Sequence, residues 1–372
     1  MKKNDSKLKI TFITILFFGI FSLAESSLAA PVISDVFGTI QNNNTITITG
    51  TGFGTKVTST PAYYSNFETE TGVPTGWIAG GANPGAVSTD RSHAGAKSLL
   101  FDISTTVENF SRQIKYDMGV GDTFYITAWV YIDNTLNTAT QYQFKSWRLS
   151  SDVGAYSISE TPSTTVALND NWWRTTGWFN EFSWSYYNGG AAYGCGSAGA
   201  PTDQFLFNQW QRVEEVLVRS SPAGTPNGSI IHRRVGRANP ISSIVNCVTH
   251  DSADDKQWRY MMLGQAVSNV TSGTGHLKIY YDDLYVDHTQ ARIEIGNNSN
   301  YASSTIKEVQ LPINWTDNTI EVTLNQGVFS NSDNAYVYVV DSNGAVSSSY
   351  GPVTFSGTDT TPPASPTGLN VN

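Results

Sequence analysis

The chain has 372 residues, of which 14% are charged and 12% are aromatic, and its formal net charge is −9 at pH 7. This composition is typical of an extracellular all-β protein and unlike that of a cytosolic helical protein. The acidic balance argues against nucleic acid as a partner, and the length admits one large core or two smaller ones.

Residues 1–30 have the pattern of a secretory signal peptide. Four lysines precede an apolar run, and small residues follow up to Ala29 and Ala30, where cleavage is expected. The apolar run is too short to predict a membrane span. Removing four lysines and two acidic residues from totals of 22 and 31 leaves 18 basic and 29 acidic side chains, a net charge of −11. We expect a secreted bacterial protein, extracellular or at the cell surface, and a monomer.

The mature chain alternates apolar and polar residues with a period of two, and no segment shows a sustained helical period. Turn signals such as "GVGD", "PNG" and "SNG" separate the alternating runs. The clearest predicted strands are residues 45–50, 97–104, 123–133, 141–149, 211–219 and 335–341. The fold class predicted from this pattern is all-β, with antiparallel sandwiches.

Two resemblances divide the predicted strands into domains. Residues 31–55, with "TITITGTGFG", resemble the first part of an IPT/TIG domain, which is a small immunoglobulin-like sandwich. Residues 61–288 are similar to a concanavalin-A-like or carbohydrate-binding jelly roll. The segments "ARIEIG", "KEVQLPINW" and "AYVYVVDSNG" resemble the rest of an IPT/TIG domain. The resemblance implies a jelly roll at 61–288, inserted between IPT/TIG parts at 31–60 and 289–356, with a Thr/Pro-rich linker at 357–372. The alternative is one large sandwich.

Three short motifs of the predicted jelly roll point to a metal. "NFE" at 66–68, "SHAGAKSL" at 92–99 and "YYDDLYV" at 280–286 resemble the elements that hold a structural calcium in carbohydrate-binding jelly rolls. The resemblance implies Ca²⁺ bound by Glu68, Asp282 and Asp283, which are hard oxygen ligands. If alternation continues, Asp283 lies on the core face and needs a partner. The alternative interpretation is a salt bridge or a solvated turn.

Residues 123–133 have two faces with different compositions. One face is apolar and predicts a core, while the other carries Tyr125, Trp129 and Tyr131. On the next strand, a polar and aromatic row contains Gln141, Gln143, Lys145 and Trp147. Rings stack on sugars and amides bind hydroxyls, so these rows predict a carbohydrate groove. Alternatively, the aromatic side chains pack under long loops.

A Trp-rich stretch at 171–196 contains Trp184 and Tyr186, which are candidates for one wall of the groove. In an oxidising compartment Cys195 and Cys247 are expected to form a disulfide that holds this wall. Alternatively, the stretch is a small accessory core.

The basic run at 232–237 is unusual in an acidic chain. We expect His232 and Arg234, together with Arg259, to receive a uronate or sulfate group. A solvated edge strand is the alternative.

The choice between enzyme and binder depends on catalytic motifs. The paired carboxylates of a glycoside hydrolase are missing from the sequence. A lyase needs only a group that neutralises a carboxylate and a Tyr or His that moves a proton, and Gln143, Lys145, Arg148, His232 or Tyr281 are candidates. The strand motifs of alginate lyases are absent, however. We therefore predict a secreted noncatalytic protein that binds a polysaccharide, anionic polysaccharides included, or mediates adhesion. The alternatives are a lyase that cleaves an acidic polysaccharide by β-elimination and a structural spacer.

Overall fold

The structure is a computed structural model that describes residues 29–356 apart from internal gaps at 80–82, 105–112, 136, 139–141, 151–164, 174–182, 189–190, 194–205, 237–241, 251–257, 265–266 and 269–272. Only the backbone is described for residues 103–104, 137–138, 142–148, 150, 165–173, 183–188, 191–193, 242, 267–268 and 273–274. The predicted signal peptide and linker tail lie almost wholly outside the described residues.

Strands are the dominant regular secondary structure of the described residues, which confirms the predicted all-β sandwich class. The first two strands are β1 (Val32–Phe37) and β2 (Thr45–Thr51). Eighteen more strands follow: β3 (Tyr63–Ser65), β4 (Ile78–Ala79), β5 (Ala86–Ser88), β6 (Ser98–Ser104), β7 (Ile114–Gly121), β8 (Thr123–Asn134), β9 (Asn137–Thr138), β10 (Tyr142–Ser150), β11 (Thr165–Trp173), β12 (Ser183–Asn188), β13 (Ala191–Tyr193), β14 (Trp210–Val218), β15 (Gly228–Arg234), β16 (Ser242–Cys247), β17 (Trp258–Leu263), β18 (Val267–Ser268), β19 (Gly273–Thr274) and β20 (His276–Asp287).

The last strands are β21 (Arg292–Gly296), β22 (Lys307–Trp315), β23 (Thr319–Thr323), β24 (Asn334–Val340) and β25 (Tyr350–Thr354), with one short 3₁₀ helix at Tyr301–Ser303. Within the described part of the chain, no helix is long and apolar enough to cross a membrane.

The small sandwich combines strands from both ends of the described chain. Its seven-stranded sheet has the order β1-β2-β23-β22-β21-β24-β25. The strand β22 pairs with β21 through its first residues and with β23 through its last ones, across a register shift after Pro312. Apolar side chains of both halves form one core, which includes Ile48, Ile293, Trp315 and Val337. All the strands from β3 to β20 therefore lie, in sequence, between two strands that share one sheet.

The large sandwich consists of two long sheets. Sheet I has the order β16-β15-β14-β8-β20-β6-β5, with β3 added beside β20, and sheet II has the order β13-β12-β11-β10-β17-β7-β4, with β18 added beside β10. The core between them contains the apolar face of β8 that the alternation predicts: Phe124, Ile126, Ala128, Val130 and Ile132. Burying these side chains stabilises the sandwich by the removal of apolar surface from water.

The outer face of sheet I packs against the small sandwich. Its side chains Tyr125, Val216 and Tyr285 form a buried cluster with Val309 of β22. The chain passes between the sandwiches twice, between β2 and β3 and between β20 and β21. Beside these crossings, Lys56 Nζ lies 2.6 Å from Asp287 Oδ2, and both side chains are buried. The junction therefore has an apolar centre and an ion pair at the chain crossings.

Candidate functional site

The first predicted sugar-binding row lies inside the junction. Tyr125 is fully buried and Trp129 is 6% exposed. Tyr125 donates its hydroxyl hydrogen to Glu214 at 2.7 Å, and Trp129 Nε1 donates to Glu308 Oε2 at 3.0 Å. The expectation that this face forms an open groove is corrected, because the small sandwich packs on Tyr125 and the ring of His93 stacks on Trp129.

A network of buried charges surrounds Tyr125. Arg212 donates to Glu214 at 3.0 Å and to Glu294 at 2.6 Å, and thus connects β14 of sheet I with β21 of the small sandwich. Arg292 also donates to Glu294, at 3.0 Å. Burial alone would raise the pKa of the Glu294 carboxyl, but Arg292 and Arg212 outweigh it and hold that pKa well below its usual range. The junction therefore contains a network of charged side chains that is almost wholly buried.

Sheet II presents a different outer face, away from the small sandwich. Lys115 of β7 is fully buried, and its Nζ lies 4.3 Å from the ring centroid of Tyr260 on β17. Next to this pair, Arg259 donates two hydrogen bonds to Asp117, with Nη2 to Oδ2 at 2.7 Å. The predicted ligand Arg259 is thus at the surface, 47% exposed, and paired with a carboxylate.

The other predicted groove residues on sheet II are described only in part. Gln143, Lys145 and Trp147 lie on β10, where the backbone alone is described. In the ladder, Trp147 lies opposite Leu263, whose side chain belongs to the core. Trp184 and Tyr186 lie on β12, again with backbone only, and Gln141 is outside the described residues.

A pocket opens at the edge of the junction, where the end of β15 faces the small sandwich. Arg233 and Arg234 line it on one side, and Gln290, Tyr301 and Lys307 line it on the other. Lys307 Nζ lies 3.5 Å from the Tyr301 ring centroid. The lining contains four basic side chains, with buried Arg292 as the fourth, and one acidic side chain, Glu214. The predicted ligand Arg234 is therefore part of a basic pocket with an aromatic wall.

The predicted calcium ligands do not converge on one point. Glu68 Oε1 accepts from the backbone N–H groups of Ala96 and Lys97, at 2.9 and 2.8 Å. Asp282 Oδ2 accepts from the N–H groups of His93 and Ala94 instead. Lys97 Nζ donates to the Glu68 carbonyl at 2.8 Å, so a cationic side chain already lies at this turn. Calcium binding by Glu68, Asp282 and Asp283 stays a prediction.

The second aspartate faces elsewhere because β20 is irregular. Its register with β8 shifts between Asp282 and Tyr285, and Asp283 has a φ of +47°. Such a bulge turns the bulged residue away from the alternating pattern. Asp283 Oδ1 accepts from the Tyr64 hydroxyl at 2.8 Å, and the carboxylate lies near His93 and Glu308. The expectation that Asp283 faces the core of the large sandwich is therefore wrong.

Two further candidates are buried in the large sandwich. His232 is fully buried, with Nδ1 2.7 Å from Glu215 Oε1, and Tyr281 belongs to the core. Neither side chain is available to a ligand at the surface. Cys247 is buried, and Cys195 lies outside the described residues, so their disulfide stays a prediction.

Sequence reasoning missed the residues that complete these sites. No sequence pattern connects Glu308 with His93, because the two residues are far apart in sequence and lie in different predicted domains. Lys115 and Tyr260 were missed as well. The signal that could have indicated Lys115 is a lysine between Ile114 and Tyr116 in the strand-like segment "QIKYDM".

Comparisons with known proteins identify only distant likenesses. No protein-family model matches the chain, and no curated protein matches it. Among solved structures, alginate lyase Aly36B is similar at 14% identity and a TM-score of 0.43, over 62% of this chain and 98% of that one. Cellulose induced protein Cip1 is similar at 11% identity and a TM-score of 0.38, over 61% of this chain and 97% of that one.

Lectin UEA-II complexed with galactose is similar at 11% identity and a TM-score of 0.33, over 61% of this chain and 99% of the lectin. At these identities and TM-scores, the likenesses assign no role to any residue of this chain.

Proposed function

We propose that the protein is a secreted, noncatalytic binder of an acidic polysaccharide. The observation that carries this proposal is the basic pocket at the edge of the junction, lined by Arg233, Arg234, Tyr301 and Lys307. Arginine side chains bind carboxylates and sulfates with two parallel hydrogen bonds, and an aromatic wall packs against the apolar face of a sugar ring. A binder needs such a pocket and no catalytic pair.

The charge of the chain supports a local site for the acidic groups. With a net charge of −9, the protein as a whole repels a polyanion. Four basic side chains around one pocket reverse that charge locally. We expect binding that weakens as salt rises, because the ion pairs at an open pocket are screened.

Affinity electrophoresis in gels that contain alginate, pectin, glucuronan or hyaluronan tests the proposal. We expect at least one acidic polysaccharide to retard the protein and a neutral glucan to leave it unaffected. The double variant R233A/R234A should weaken binding about tenfold or more, since each charge-assisted hydrogen bond contributes about 1.5–3 kcal/mol. The comparison variant is R259A, on the outer face of sheet II. If R259A lost its retardation while R233A/R234A kept it, the proposal that the polysaccharide binds in the basic pocket would be contradicted.

A second candidate function is β-elimination on the outer face of sheet II. It is favoured by one observation, the Lys115 ammonium 4.3 Å from the Tyr260 ring; both side chains are buried, so this function requires the substrate to reach them between their neighbours. In a lyase, a cation neutralises the substrate carboxylate and a tyrosine moves the proton. Incubation with the same polysaccharides would then produce unsaturated sugars that absorb in the ultraviolet, and Tyr260→Phe would abolish the product. Binding without new absorbance would leave the binder as the function.

A further inference from the structure

Three buried side chains meet where sheet I contacts the small sandwich. They come from three separate segments: His93 from the loop between β5 and β6, Asp283 from the bulge of β20, and Glu308 from β22. One nitrogen or oxygen atom of each lies within 4.8 Å of the others. Asp283 is 8% exposed, Glu308 is 1% exposed, and the His93 side chain is 6% exposed. This group is called the junction cluster below.

Each side chain of the junction cluster has one buried polar atom without a hydrogen bond among the described residues. His93 Nδ1, Asp283 Oδ2 and Glu308 Oε1 have no hydrogen-bond partner among the described residues. His93 Nδ1 and Asp283 Oδ2 are 3.9 Å apart, which is too long for a hydrogen bond. Buried polar atoms in proteins are rarely left unpaired. Three such atoms in one buried cluster, two of them carboxylate oxygens, indicate a missing positively charged partner.

The nearest cation does not supply that partner. Arg212 borders the same small cavity as Asp283 and Glu308. Its described hydrogen bonds go to other groups, among them Glu214 and Glu294.

Neighbouring side chains hold each member of the junction cluster in place through contacts with its other atoms. Trp129 stacks on the His93 ring, with centroids 3.7 Å apart and planes at 16°, and donates to Glu308 Oε2. The Tyr64 hydroxyl donates to Asp283 Oδ1. Metal ligands in proteins are oriented by such outer contacts, which leave the second atom of each carboxylate free to bind the ion.

We propose that the junction cluster binds one divalent metal ion of the zinc type, with His93 Nδ1, Asp283 Oδ2 and Glu308 Oε1 as ligands. An imidazole nitrogen with two carboxylate oxygens suits zinc, whereas calcium prefers six to eight oxygens. Zinc bonds of about 2.0–2.2 Å place ligand atoms about 3.3–3.5 Å apart, so the ion draws the three side chains slightly together.

The ion would join the two sandwiches, because two ligands belong to the large one and Glu308 belongs to the small one. Gly327, which belongs to the same sandwich as Glu308, lies against the Glu308 carboxylate. A Cβ at position 327 would lie 2.3 Å from Glu308 Cδ, and the backbone there has a φ of +55°. The chain thus passes directly over Glu308, and the carboxylate cannot turn away toward solvent on that side.

The test uses the whole mature protein, treated with a chelator and dialysed, then titrated with zinc chloride in a calorimeter. We expect one zinc ion per chain and a rise in melting temperature of about 5 °C at saturating zinc. Calcium chloride at the same concentration should have little effect on melting. Cobalt added in place of zinc should give a visible absorption band, which reports the ligands directly.

Variants locate the site. Glu308→Gln keeps an acceptor for Trp129 and removes one charged ligand, so it should abolish the cobalt band and the melting shift. Trp129→Phe keeps the stacked ring and removes one hydrogen bond, and should weaken zinc binding about tenfold or more. The matched control is Glu68→Gln, whose side-chain oxygen still accepts from two backbone N–H groups, and it should bind zinc like the wild type.

Three outcomes would overturn the proposal: a wild-type protein that takes up less than a tenth of an equivalent of zinc, equal zinc loss in Glu68→Gln and Glu308→Gln, or a melting shift with calcium and none with zinc. Circular dichroism of each variant separates lost binding from lost folding. Because the titration of the wild-type protein needs no variant, the result stands even if a variant fails to fold.

Discussion

The outer faces of sheet I and sheet II carry similar residue types and meet different surroundings. On sheet I, Tyr125 and Arg212 are buried against the small sandwich. On sheet II, Arg259 pairs with Asp117 at the surface, with both side chains more than two fifths exposed. A row of aromatic and charged residues on a strand is therefore compatible with an interface as well as with a ligand groove. The two faces differ in how their arginines are paired: Arg212 is buried between carboxylates of both sandwiches, whereas the Arg259–Asp117 pair is exposed beside the buried Lys115.

The largest difference between the faces is expected for their arginines. Arg212→Met leaves Glu214 and Glu294 buried with less compensation, and should lower the free energy of unfolding by about 3–5 kcal/mol. Arg259→Met breaks only an exposed pair and should cost less than about 1 kcal/mol. Urea unfolding followed by tryptophan fluorescence measures both. Equal losses would mean that the junction network is solvated.

The pH dependence of stability should also differ between the faces. The pKa of Glu294 is held well below its usual range, so its ionised form stabilises the fold above about pH 4.5 and this contribution is lost as the pH falls further. Glu294→Gln should be less stable than the wild type at pH 7, and the gap should narrow in acid. The gap for Asp117→Asn, at an exposed pair, should be small throughout. Thermal melts between pH 3 and pH 7 measure both gaps.

The smallest effect is expected from removing single hydroxyls. Tyr125→Phe leaves Glu214 and Arg212 without one buried hydrogen bond each, and should cost about 1–3 kcal/mol. Tyr260→Phe on sheet II should cost less than about 0.5 kcal/mol, as no hydrogen bond of its hydroxyl is described. Urea titration measures the free energy of unfolding of both variants. A larger loss of stability in Tyr260→Phe than in Tyr125→Phe would contradict the expected difference between the two faces.

Much of the fold follows from local pattern. The alternation in β8 correctly predicts Phe124, Ile126 and Val130 as core, because the side-chain period of a strand is two. The same pattern shows that a second aromatic face needs a cover. It does not show what the cover is, since the residues that pack on Tyr125 come from β22, far along the chain.

The candidate sites were harder to predict for two physical reasons. The bulge in β20 breaks the alternation at Asp282 and Asp283, and nothing in the alternating pattern marks where a ladder shifts by a residue. The junction cluster depends on tertiary contact between His93 and Glu308, which belong to different sandwiches. Only Asp283, of the three side chains, was among the predicted metal ligands.

The double crossing between the sandwiches has a consequence for proteolysis. One crossing lies between β2 and β3, and the other covers the few residues between β20 and β21. A single cut in either crossing leaves the other peptide connection intact, so the two sandwiches stay one molecule. A protease must cleave at both places to release either half, and the buried Lys56–Asp287 pair lies beside both cleavage points.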